Sequence, residues 1–313
     1  MKVVMINDCA FVGETLLKYM PADIEKQHIK RTRGAWSKTF GLAYNIWRTK
    51  GDIFHAHYLL QDCYIVARLG KRPLIGHAHG SDLRKSLDHP LWRRVVKHNL
   101  KNCDRILVST PDVLGIARKF REDAEYFPNV VHGEYFYPKP FIKHGGKKKV
   151  LIASDSNWGV KGTDIAIKAL SKIKDEVNVS IVKYGVDFDK TMTLASSVGL
   201  NLNVLPKVPH ERLKEYYWNA DVVIDRFKLG SLGLISLEAI ACGRSVVTWV
   251  SSEFPEYATF PLKDVDTEEK AVDSIRKADS KLWEKQHAYF MAEHEVTRIV
   301  ERLLKLYAAL GVH

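Results

Sequence analysis

The sequence lacks any apolar run of the roughly 18 to 20 residues that a membrane-spanning helix needs. Residues 1–14 turn polar after a few apolar positions, which is typical of a first β-strand and turn and not of a secretory signal peptide. The four cysteines, at positions 9, 63, 103 and 242, form no CxxC pair and have no metal-ligand spacing. We therefore expect a cytoplasmic protein with reduced thiols, without a disulfide framework or a structural zinc site.

The sequence also has little that favours a metal cofactor or nucleic-acid binding. Residues 187–189 and 264–266 have the D-x-D spacing of some metal-binding loops, but we interpret both as polar loops before helices. No nucleic-acid-binding motif accompanies the positive charge of the chain. The expected protein is therefore metal-independent and has no nucleic-acid partner.

Positive charge is concentrated in the N-terminal half of the chain. Residues 1–140 hold 23 of the 48 Lys and Arg residues but only 14 of the 37 Asp and Glu residues. Within them, residues 26–50 hold seven basic residues and no acid, interleaved with aromatic residues. Such a mixture suits an anionic membrane surface, a phosphate-bearing acceptor or a solvated face that keeps the protein soluble. The predicted acceptor or membrane contacts are Lys30, Arg31, Arg33, Trp36, Arg93, Arg94 and Lys97.

Strand, turn and helix alternate along the chain in two successive series. Predicted strands at residues 2–6 and 105–109 begin and end the first series, and strands at 150–153 and 245–248 begin and end the second. A turn-rich stretch with glycine and lysine, around residues 127–149, separates them. This alternation predicts two parallel sheets with helices on both faces, each of which would bind ligands at the carboxyl ends of its strands.

Residues 225–247 form the most informative segment. Gly230 and Gly233 permit a positive φ or a close backbone approach, and residues 234–242 have helical apolar spacing. The loop therefore feeds a helix N-terminus, whose free N–H groups attract an anion such as a diphosphate. Glu238, about one turn into that helix, can accept hydrogen bonds from the hydroxyl groups of a sugar.

Seven segments, in order along most of the chain, resemble glycosyltransferases of the GT-B fold, in particular the retaining family 4. The segments are DIFHAHYL (52–59), PLIGHAHGSDLR (73–84), DRILVSTPDVL (104–114), FPNVVHGEYFYP (127–138), VKGTDIAIKAL (160–170), VPHERLKEYYWNADVVIDRF (208–227) and GSLGLISLEAIACGRSVV (230–247). The resemblance implies two Rossmann-like, doubly wound domains that face a central cleft. Residues 1–140 would bind the acceptor, residues 141–285 the nucleotide sugar, and residues 286–313 would be a C-terminal helix packed back on the first domain.

The resemblance also implies an activity. A hexosyl group would move from a UDP- or GDP-sugar to a glycan or lipid-linked acceptor, with retention of configuration and without a metal ion. The protein would lie in the cytoplasm, at the inner face of the membrane. Three predicted catalytic residues follow from matching positions: His79 contacts the donor sugar, Lys161 neutralises the diphosphate, and Glu238 binds the ribose. The implied donor-binding residues are Gly13, Ser156, Gly230, Ser231, Leu232, Gly233, Leu234 and Glu238.

Two positions depart from the family pattern. Gly230 stands where the family usually has the first acid of an E-x7-E pair, and Ser156 stands where it often has an arginine. Asp225, Arg226 and Lys228 are close enough in sequence to compensate. The alternatives left open are a donor sugar that differs at one hydroxyl, a degenerate non-catalytic protein that binds a sugar nucleotide or a partner, and a sugar-nucleotide epimerase, which would need more acid and base groups.

Overall fold

The computed structural model describes residues 1–31, 39–140 and 146–312. These residues form two compact units, one comprising Met1–Val130 with His294–His313 and the other Val131–Glu293. Each unit contains its own parallel sheet. The predicted α/β class with two doubly wound sheets is therefore confirmed.

The first unit is built on a parallel sheet with the order β2-β1-β3-β4-β5-β6. Its strands are β1 (Lys2–Ile6), β2 (Glu25–Ile29), β3 (Ile53–His57), β4 (Leu74–Ala78), β5 (Arg105–Val108) and β6 (Glu125–Tyr126). The helices between them are α1 (Val12–Tyr19), α2 (Phe40–Arg48), α3 (Gln61–Arg68), α4 (Ser81–Arg84), α5 (Pro90–Asn102) and α6 (Leu114–Arg118). The strand order reverses between β1 and β3, the kind of position at which doubly wound sheets bind ligands.

The two faces of this first sheet differ in chemistry. Side chains alternate between the faces of a strand, and Phe54 and Ala56 of β3 point into the apolar core. The alternate residues of β3, His55 and His57, point to the opposite face and are fully buried there. One face is thus an ordinary apolar core, whereas the other carries histidines near the carboxyl ends of its strands.

The second unit repeats the architecture with the strand order β11-β10-β7-β8-β9. Its strands are β7 (Lys148–Ile152), β8 (Val177–Val182), β9 (Leu202–Leu205), β10 (Val222–Ile224) and β11 (Ser245–Val247). Its helices are α7 (Trp158–Lys161), α8 (Thr163–Ser171), α9 (Phe188–Ser197), α10 (Leu213–Trp218), α11 (Leu234–Ala241), α12 (Glu268–Lys277) and α13 (Ser280–Glu293). Helices α8, α9 and α12 cover one face of the sheet, and α10, α11 and α13 pack on the other.

The last helix, α14 (Val296–Ala309), belongs to the first unit. Its buried residues, Ile299, Val300, Leu303 and Tyr307, have helical spacing. The Tyr307 hydroxyl lies 2.9 Å from Nδ1 of His55, so this helix contacts the histidine-bearing face of the first sheet.

The boundaries between the units differ from those expected from the sequence. The chain divides at residues 130 and 293, where the sequence suggested 140 and 285. Val131 and Phe136 pack in the core of the second unit, which draws residues 131–140 into it. On α13, Gln286 hydrogen-bonds both the N–H and the carbonyl oxygen of Val246, so residues 286–293 also belong to the second unit.

Strand β2 and helix α2 were missed by the sequence analysis. Strand β2 lies at the edge of the sheet, and its sequence, EKQHI, has a single strongly apolar residue. The strand is held by backbone pairing with β1, which needs no apolar pattern in the sequence. In α2 the buried Leu42 and Ile46 are outnumbered by exposed aromatic residues, which hide the helical period.

Candidate functional site

The candidate site of the second unit lies where the strand order of its sheet reverses, between β7 and β10. The chain segments that leave the carboxyl ends of these two strands are joined by hydrogen bonds. Ser154 Oγ donates to the Asp225 carbonyl oxygen (2.6 Å), and the N–H of Phe227 donates to the Lys161 carbonyl oxygen (2.7 Å). The site therefore occupies the position at which a doubly wound sheet is expected to bind its ligand.

The buried carboxylate of Asp225 is the centre of the site. Its Oδ1 lies 3.3 Å from Lys161 Nζ, and its Oδ2 accepts a hydrogen bond from Ser236 Oγ at 2.9 Å. Arg226 Nε lies 3.3 Å from the same Oδ2. Burial alone would raise the pKa of Asp225, but the charges of Arg226 and Lys161 outweigh it and lower the pKa to about 2. The carboxylate is thus ionised at neutral pH.

Two cations share this one carboxylate. The Lys161 side chain is 12% exposed, and its second acidic neighbour, Asp155, lies 3.9 Å away. Burial and the positive charge of Arg226 lower the pKa of Lys161. Because the two cations repel each other, an additional anion between them would be stabilised.

Gly233 brings these charges to the start of helix α11. A Cβ atom at Gly233 would lie 2.1 Å from Arg226 Nη2 and 2.2 Å from Asp225 Oδ2. The guanidinium and the carboxylate therefore rest directly on the backbone that begins the helix. No side chain caps α11 at Gly233, which leaves its first turn available to an anion.

Several buried hydroxyl oxygens in the loops and helix starts of this unit have no hydrogen-bond partner within the described residues. They are Ser156 Oγ, Ser231 Oγ and Thr163 Oγ1. A buried donor without a partner costs on the order of 1–3 kcal/mol, so such a group is unusual unless a ligand completes it. Ser156 and Ser231 are both predicted donor-binding residues, and the structure places both in this unit.

Gly230 has a positive φ of 61°, which favours glycine. Its carbonyl oxygen accepts the N–H of Ser251 at 2.9 Å. A Cβ atom at this position would lie 3.0 Å from the Ser251 Cβ. The local backbone therefore favours the glycine that this chain has in place of the family's acid.

Glu238, in the second turn of α11, is 2% exposed and already has partners for both carboxylate oxygens. His210 Nε2 lies 2.7 Å from Oε1, and the Tyr217 hydroxyl donates to Oε2 at 2.9 Å. Burial disfavours the charged imidazole, but the bond to Glu238 outweighs this and raises the pKa of His210. Neither partner was predicted from the sequence. Both come from the segment VPHERLKEYYW (208–218), which is separate from the segment that contains Glu238.

His79 lies at the carboxyl end of β4 in the first unit, where both of its ring nitrogens are engaged. Nε2 lies 2.8 Å from His57 Nδ1, and Nδ1 lies 2.9 Å from Ser109 Oγ. Asp82 accepts the N–H groups of His79 and Gly80 through Oδ1. The imidazole is therefore held by its neighbours and makes no capping hydrogen bond to helix α4.

Gly13, the other predicted donor residue of the first unit, lies in the first turn of α1. Its N–H donates to Asp8 Oδ1 at 2.8 Å, and the N–H of Glu14 donates to Asp8 Oδ2 at 3.3 Å. A Cβ atom at Gly13 would lie 2.8 Å from His57 Nε2. The glycine is required by this packing, and the Asp8 carboxylate accepts the N–H groups at the start of α1.

The predicted basic contacts divide into two groups. Lys30 pairs with Asp8 and Glu14, and Arg31 pairs with the buried Asp62, so acids of the same unit neutralise both charges. Their predicted contact with an acceptor or a membrane stays a prediction. The other three described residues, Arg93, Arg94 and Lys97, are exposed on α5, whereas Arg33 and Trp36 lie outside the described residues.

Comparisons with known proteins concern the family and the fold of this chain. The family model described as "Glycosyl transferases group 1" matches residues 139–290. The GDP-mannose-dependent alpha-(1-6)-phosphatidylinositol monomannoside mannosyltransferase of Mycolicibacterium smegmatis is 26% identical over 214 residues, covering 61% of this chain and 56% of that protein. The chain thus matches little more than half the length of this curated relative.

Solved structures of GT-B proteins match nearly the whole chain. Sucrose-phosphate synthase of Thermosynechococcus elongatus matches with a TM-score of 0.75 and 14% identity, covering 99% of both chains. Anabaena HepE (Alr3699) in complex with UDP and glucose matches with a TM-score of 0.76 and 13% identity, covering 98% of this chain and 99% of that one. At this level of identity the likeness shows the fold.

Proposed function

We propose that this chain, a group 1 glycosyltransferase with the GT-B fold, transfers a hexosyl group from a nucleoside diphosphate sugar to a glycan or lipid-linked acceptor. The observation that carries the proposal is the pair of cations, Lys161 and Arg226, at the uncapped start of α11. The hydroxyl of Ser231, in the loop that leads into this helix, is buried without a hydrogen-bond partner among the described residues. A diphosphate would satisfy these groups together.

The diphosphate would lie at the N-terminus of α11, where helix N–H groups and the two cations neutralise the charge that develops on the leaving group. Arg226 would supply the charge that the family often places at the position of Ser156. Because Asp225 holds both cations in the described structure, we expect them to divide their interactions between Asp225 and the diphosphate.

The nucleoside would lie along α11, with Glu238 accepting hydrogen bonds from the ribose. This requires the ribose hydroxyls to replace or share the contacts of His210 and Tyr217 with the carboxylate. The mannosyltransferase relative is named for GDP-mannose, and the HepE structure contains UDP and glucose. We therefore expect a UDP- or GDP-sugar as donor.

We further propose that transfer retains the anomeric configuration without a metal ion. The glycosidic oxygen of the leaving diphosphate would accept the proton of the acceptor hydroxyl as the old carbon–oxygen bond breaks and the new one forms on the same face. His79 would orient the sugar. The basic residues and the helix N-terminus would stabilise the charge that a metal ion stabilises in other transferases.

Nucleotide binding tests this proposal. UDP, GDP, dTDP and the matching monophosphates are titrated by calorimetry, and donor hydrolysis is followed by nucleotide release. Lys161→Ala and Arg226→Ala should each weaken binding of the preferred diphosphate by about 10-fold to 100-fold, since a hydrogen bond to a charged group is worth about 1.5–3 kcal/mol. Lys168→Ala, which changes an exposed lysine of α8, should leave it unchanged.

The transferase proposal fails if no nucleotide binds and no donor is hydrolysed. Tight binding of a diphosphate sugar without turnover, with every acceptor offered, would instead support the non-catalytic alternative. If the two variants lost monophosphate binding and diphosphate binding equally, the two cations would not contact the β-phosphate, which only the diphosphate has.

We also propose that the first unit contacts an anionic membrane surface through helix α2 and the start of α5. No helix of the described residues is long and apolar enough to cross a bilayer. On α2, Phe40, Tyr44 and Trp47 are 70%, 54% and 62% exposed, and their spacing places them on one helical face. Leu91 at the start of α5 is 60% exposed, close in sequence to the exposed basic residues of that helix. Exposed aromatic groups beside basic residues are typical of helices that lie in a membrane interface.

Co-sedimentation with vesicles tests this surface. Binding to vesicles that contain an anionic phospholipid should fall in the double variant Tyr44→Ser, Trp47→Ser, and it should fall further with salt. Met291→Ser, at an exposed apolar residue of the second unit, is the matched control. Binding that is indifferent to lipid charge or to the α2 substitutions would contradict the proposal.

A further inference from the structure

A continuous line of hydrogen-bonding side chains crosses the histidine-bearing face of the first sheet. Tyr307 OH lies 2.9 Å from His55 Nδ1, and His55 Nε2 lies 3.2 Å from His77 Nδ1. His77 Nε2 lies 3.0 Å from Ser109 Oγ, and that oxygen lies 2.9 Å from His79 Nδ1. His79 Nε2 then approaches His57 Nδ1 at 2.8 Å.

The far end of this line is a thioether. His57 Nε2 lies 3.1 Å from the sulfur of Met5. A thioether sulfur can only accept a hydrogen bond. A contact this short between a ring nitrogen and sulfur therefore places a proton on the nitrogen, because otherwise two lone pairs would face each other.

This one assignment determines the remaining protons in turn. If His57 carries its proton on Nε2, its Nδ1 must accept from His79 Nε2–H. His79 Nδ1 then accepts from the Ser109 hydroxyl, which itself accepts from His77 Nε2–H. His55 Nε2–H donates to His77 Nδ1, and the Tyr307 hydroxyl donates to His55 Nδ1. Every contact holds one proton, and all four imidazoles are neutral.

A competing arrangement begins at Ser109, whose Oγ also lies 3.0 Å from the carbonyl oxygen of Ala78. If the hydroxyl donated there, His79 would carry its proton on Nδ1 and His57 would turn a lone pair towards Met5. The Ala78 oxygen already accepts the backbone N–H of Ser109 at 2.9 Å, so it does not need the hydroxyl. The arrangement that starts at Met5 satisfies more groups.

The cluster could also be read as a metal site, since one ring nitrogen from each of His55, His57 and His77 lies within 4.8 Å of the others. However, each ring nitrogen of these three histidines already has a hydrogen-bond partner. Burial lowers the pKa of all three and of His79, which agrees with neutral rings. A hydrogen-bonded line accounts for these ring contacts, and the side chain of Asn129 and the backbone of Phe127 add contacts to His79 and His77.

We propose that this line is polarised from Tyr307 to Met5 and holds His79 as a neutral hydrogen-bond donor through Nε2. Tyr307 and Met5 are positioning residues for His79, one on the returning helix α14 and one on β1. His79 is the member of the line that is partly exposed. A ligand oxygen that replaces His57 as its partner receives a hydrogen bond, and His79 is not a general base because Ser109 occupies Nδ1. That this ligand is a donor sugar rests on the proposed function.

Side-chain NMR of the full chain labelled with ¹⁵N-histidine tests the polarity directly. Two-bond ¹H–¹⁵N spectra at neutral pH, assigned with single His→Gln variants, should show all four histidines as neutral Nε2–H tautomers. Met5→Leu removes the sulfur acceptor and should move the protons of His57 and His79 to Nδ1. Met20→Leu, at a buried methionine outside the line, should change neither.

The proposal would be overturned if His79 carried its proton on Nδ1 in the unaltered protein. It would also be overturned if any of the four histidines were an imidazolium, or if the protein bound an equimolar metal ion. Identical tautomers in the protein and in Met5→Leu would also refute the role of Met5.

An activity measurement tests the link to Tyr307. Tyr307→Phe keeps the ring and removes the first donor of the line, so kcat should fall about 5-fold to 10-fold, the equivalent of one net hydrogen bond, while donor affinity is unchanged. Tyr64→Phe, on α3 of the same unit, is the matched control. An unchanged kcat in Tyr307→Phe would mean that Tyr307 does not act as a positioning residue for His79. If the unaltered protein transfers no sugar, the proposed function fails, whereas the spectra still decide the polarity of the line.

Discussion

Substituting Asp225 by Asn removes the one charge that holds Lys161 and Arg226 together. The carboxylate is 2% exposed, and its three neighbours are Lys161, Arg226 and Ser236. An amide can still accept from Ser236, but it leaves Arg226 without its anion and Lys161 with only the more distant Asp155, at 3.9 Å. Breaking a buried ion pair by removing one partner costs about 3–5 kcal/mol. The expected loss is therefore near 3 kcal/mol, because the hydrogen bond from Ser236 is retained.

The pKa gives an independent value for the same interaction. The pKa of Asp225 is lowered from 3.8 to about 2, and each pKa unit corresponds to about 1.4 kcal/mol, so the ionised form adds roughly 2.5 kcal/mol to stability. A lowered carboxyl pKa means that this contribution is present above pH 3.8 and is lost as the pH falls towards 2.

Urea unfolding at several pH values measures this contribution. Asp225→Asn should lower the free energy of unfolding by about 3 kcal/mol at pH 7, and the difference should shrink as the pH falls from 4 to 2. Asp273→Asn, which breaks an exposed pair with Lys277, should have little effect. A difference below about 0.5 kcal/mol at pH 7, or one that does not change with pH, would refute the reasoning.

The same variant also tests the proposed ligand. Because its two cations have lost the carboxylate that they share, a nucleoside diphosphate should raise the melting temperature of Asp225→Asn by more degrees than that of the unaltered protein. An equal or smaller increase would mean that the diphosphate does not contact these cations.

Three further predictions concern the packing and the buried ionisable groups. Gly233→Ala should cost about 1–3 kcal/mol of stability through overpacking and should weaken diphosphate binding in calorimetry, whereas Gly115→Ala, where a new Cβ meets open space, should be neutral or stabilising. Tyr217→Phe should lower the free energy of urea unfolding by about 1.5–3 kcal/mol, since it removes a hydrogen bond to a buried carboxylate; an unchanged midpoint would contradict this. Burial lowers the pKa of His57 and His294 from 6.5 to about 4. As the pH falls, the unfolded chain therefore takes up protons before the folded protein does, and the free energy of unfolding should fall between pH 6.5 and 4 by up to roughly 3 kcal/mol for each group. A free energy of unfolding that stays constant over this range would contradict the prediction.

Much of the candidate site in the second unit was predictable because its signals are local. A glycine loop before an apolar helical segment predicts a helix N-terminus whatever the rest of the chain does, and helix α11 begins at Leu234, directly after Gly233. The partners of Glu238 were not predictable in the same way. His210 and Tyr217 come from a separate segment, and nothing in the spacing of either residue indicates which carboxylate it will meet.

The basic residues show the same limit. Lys30 and Arg31 belong to a stretch without a single acid, yet Asp8, Glu14 and Asp62 neutralise them. Charge counted along the chain could not reveal this, because β1 and β2 pair side by side and bring distant segments together.

The sequence by itself determined the α/β class, the two series of strands and helices, and the helix that would receive an anion, because periodicity and glycine loops act over a few residues. Tertiary structure alone decided which charges remain available and where polar side chains meet. The register of β1, β3, β4 and β5 places Met5, four histidines and Ser109 on one face, and α14 adds Tyr307 from the far end of the chain. Each of these residues is unremarkable in its own segment. Their order in space follows from strand pairing and helix packing, which join parts of the chain that no local pattern connects.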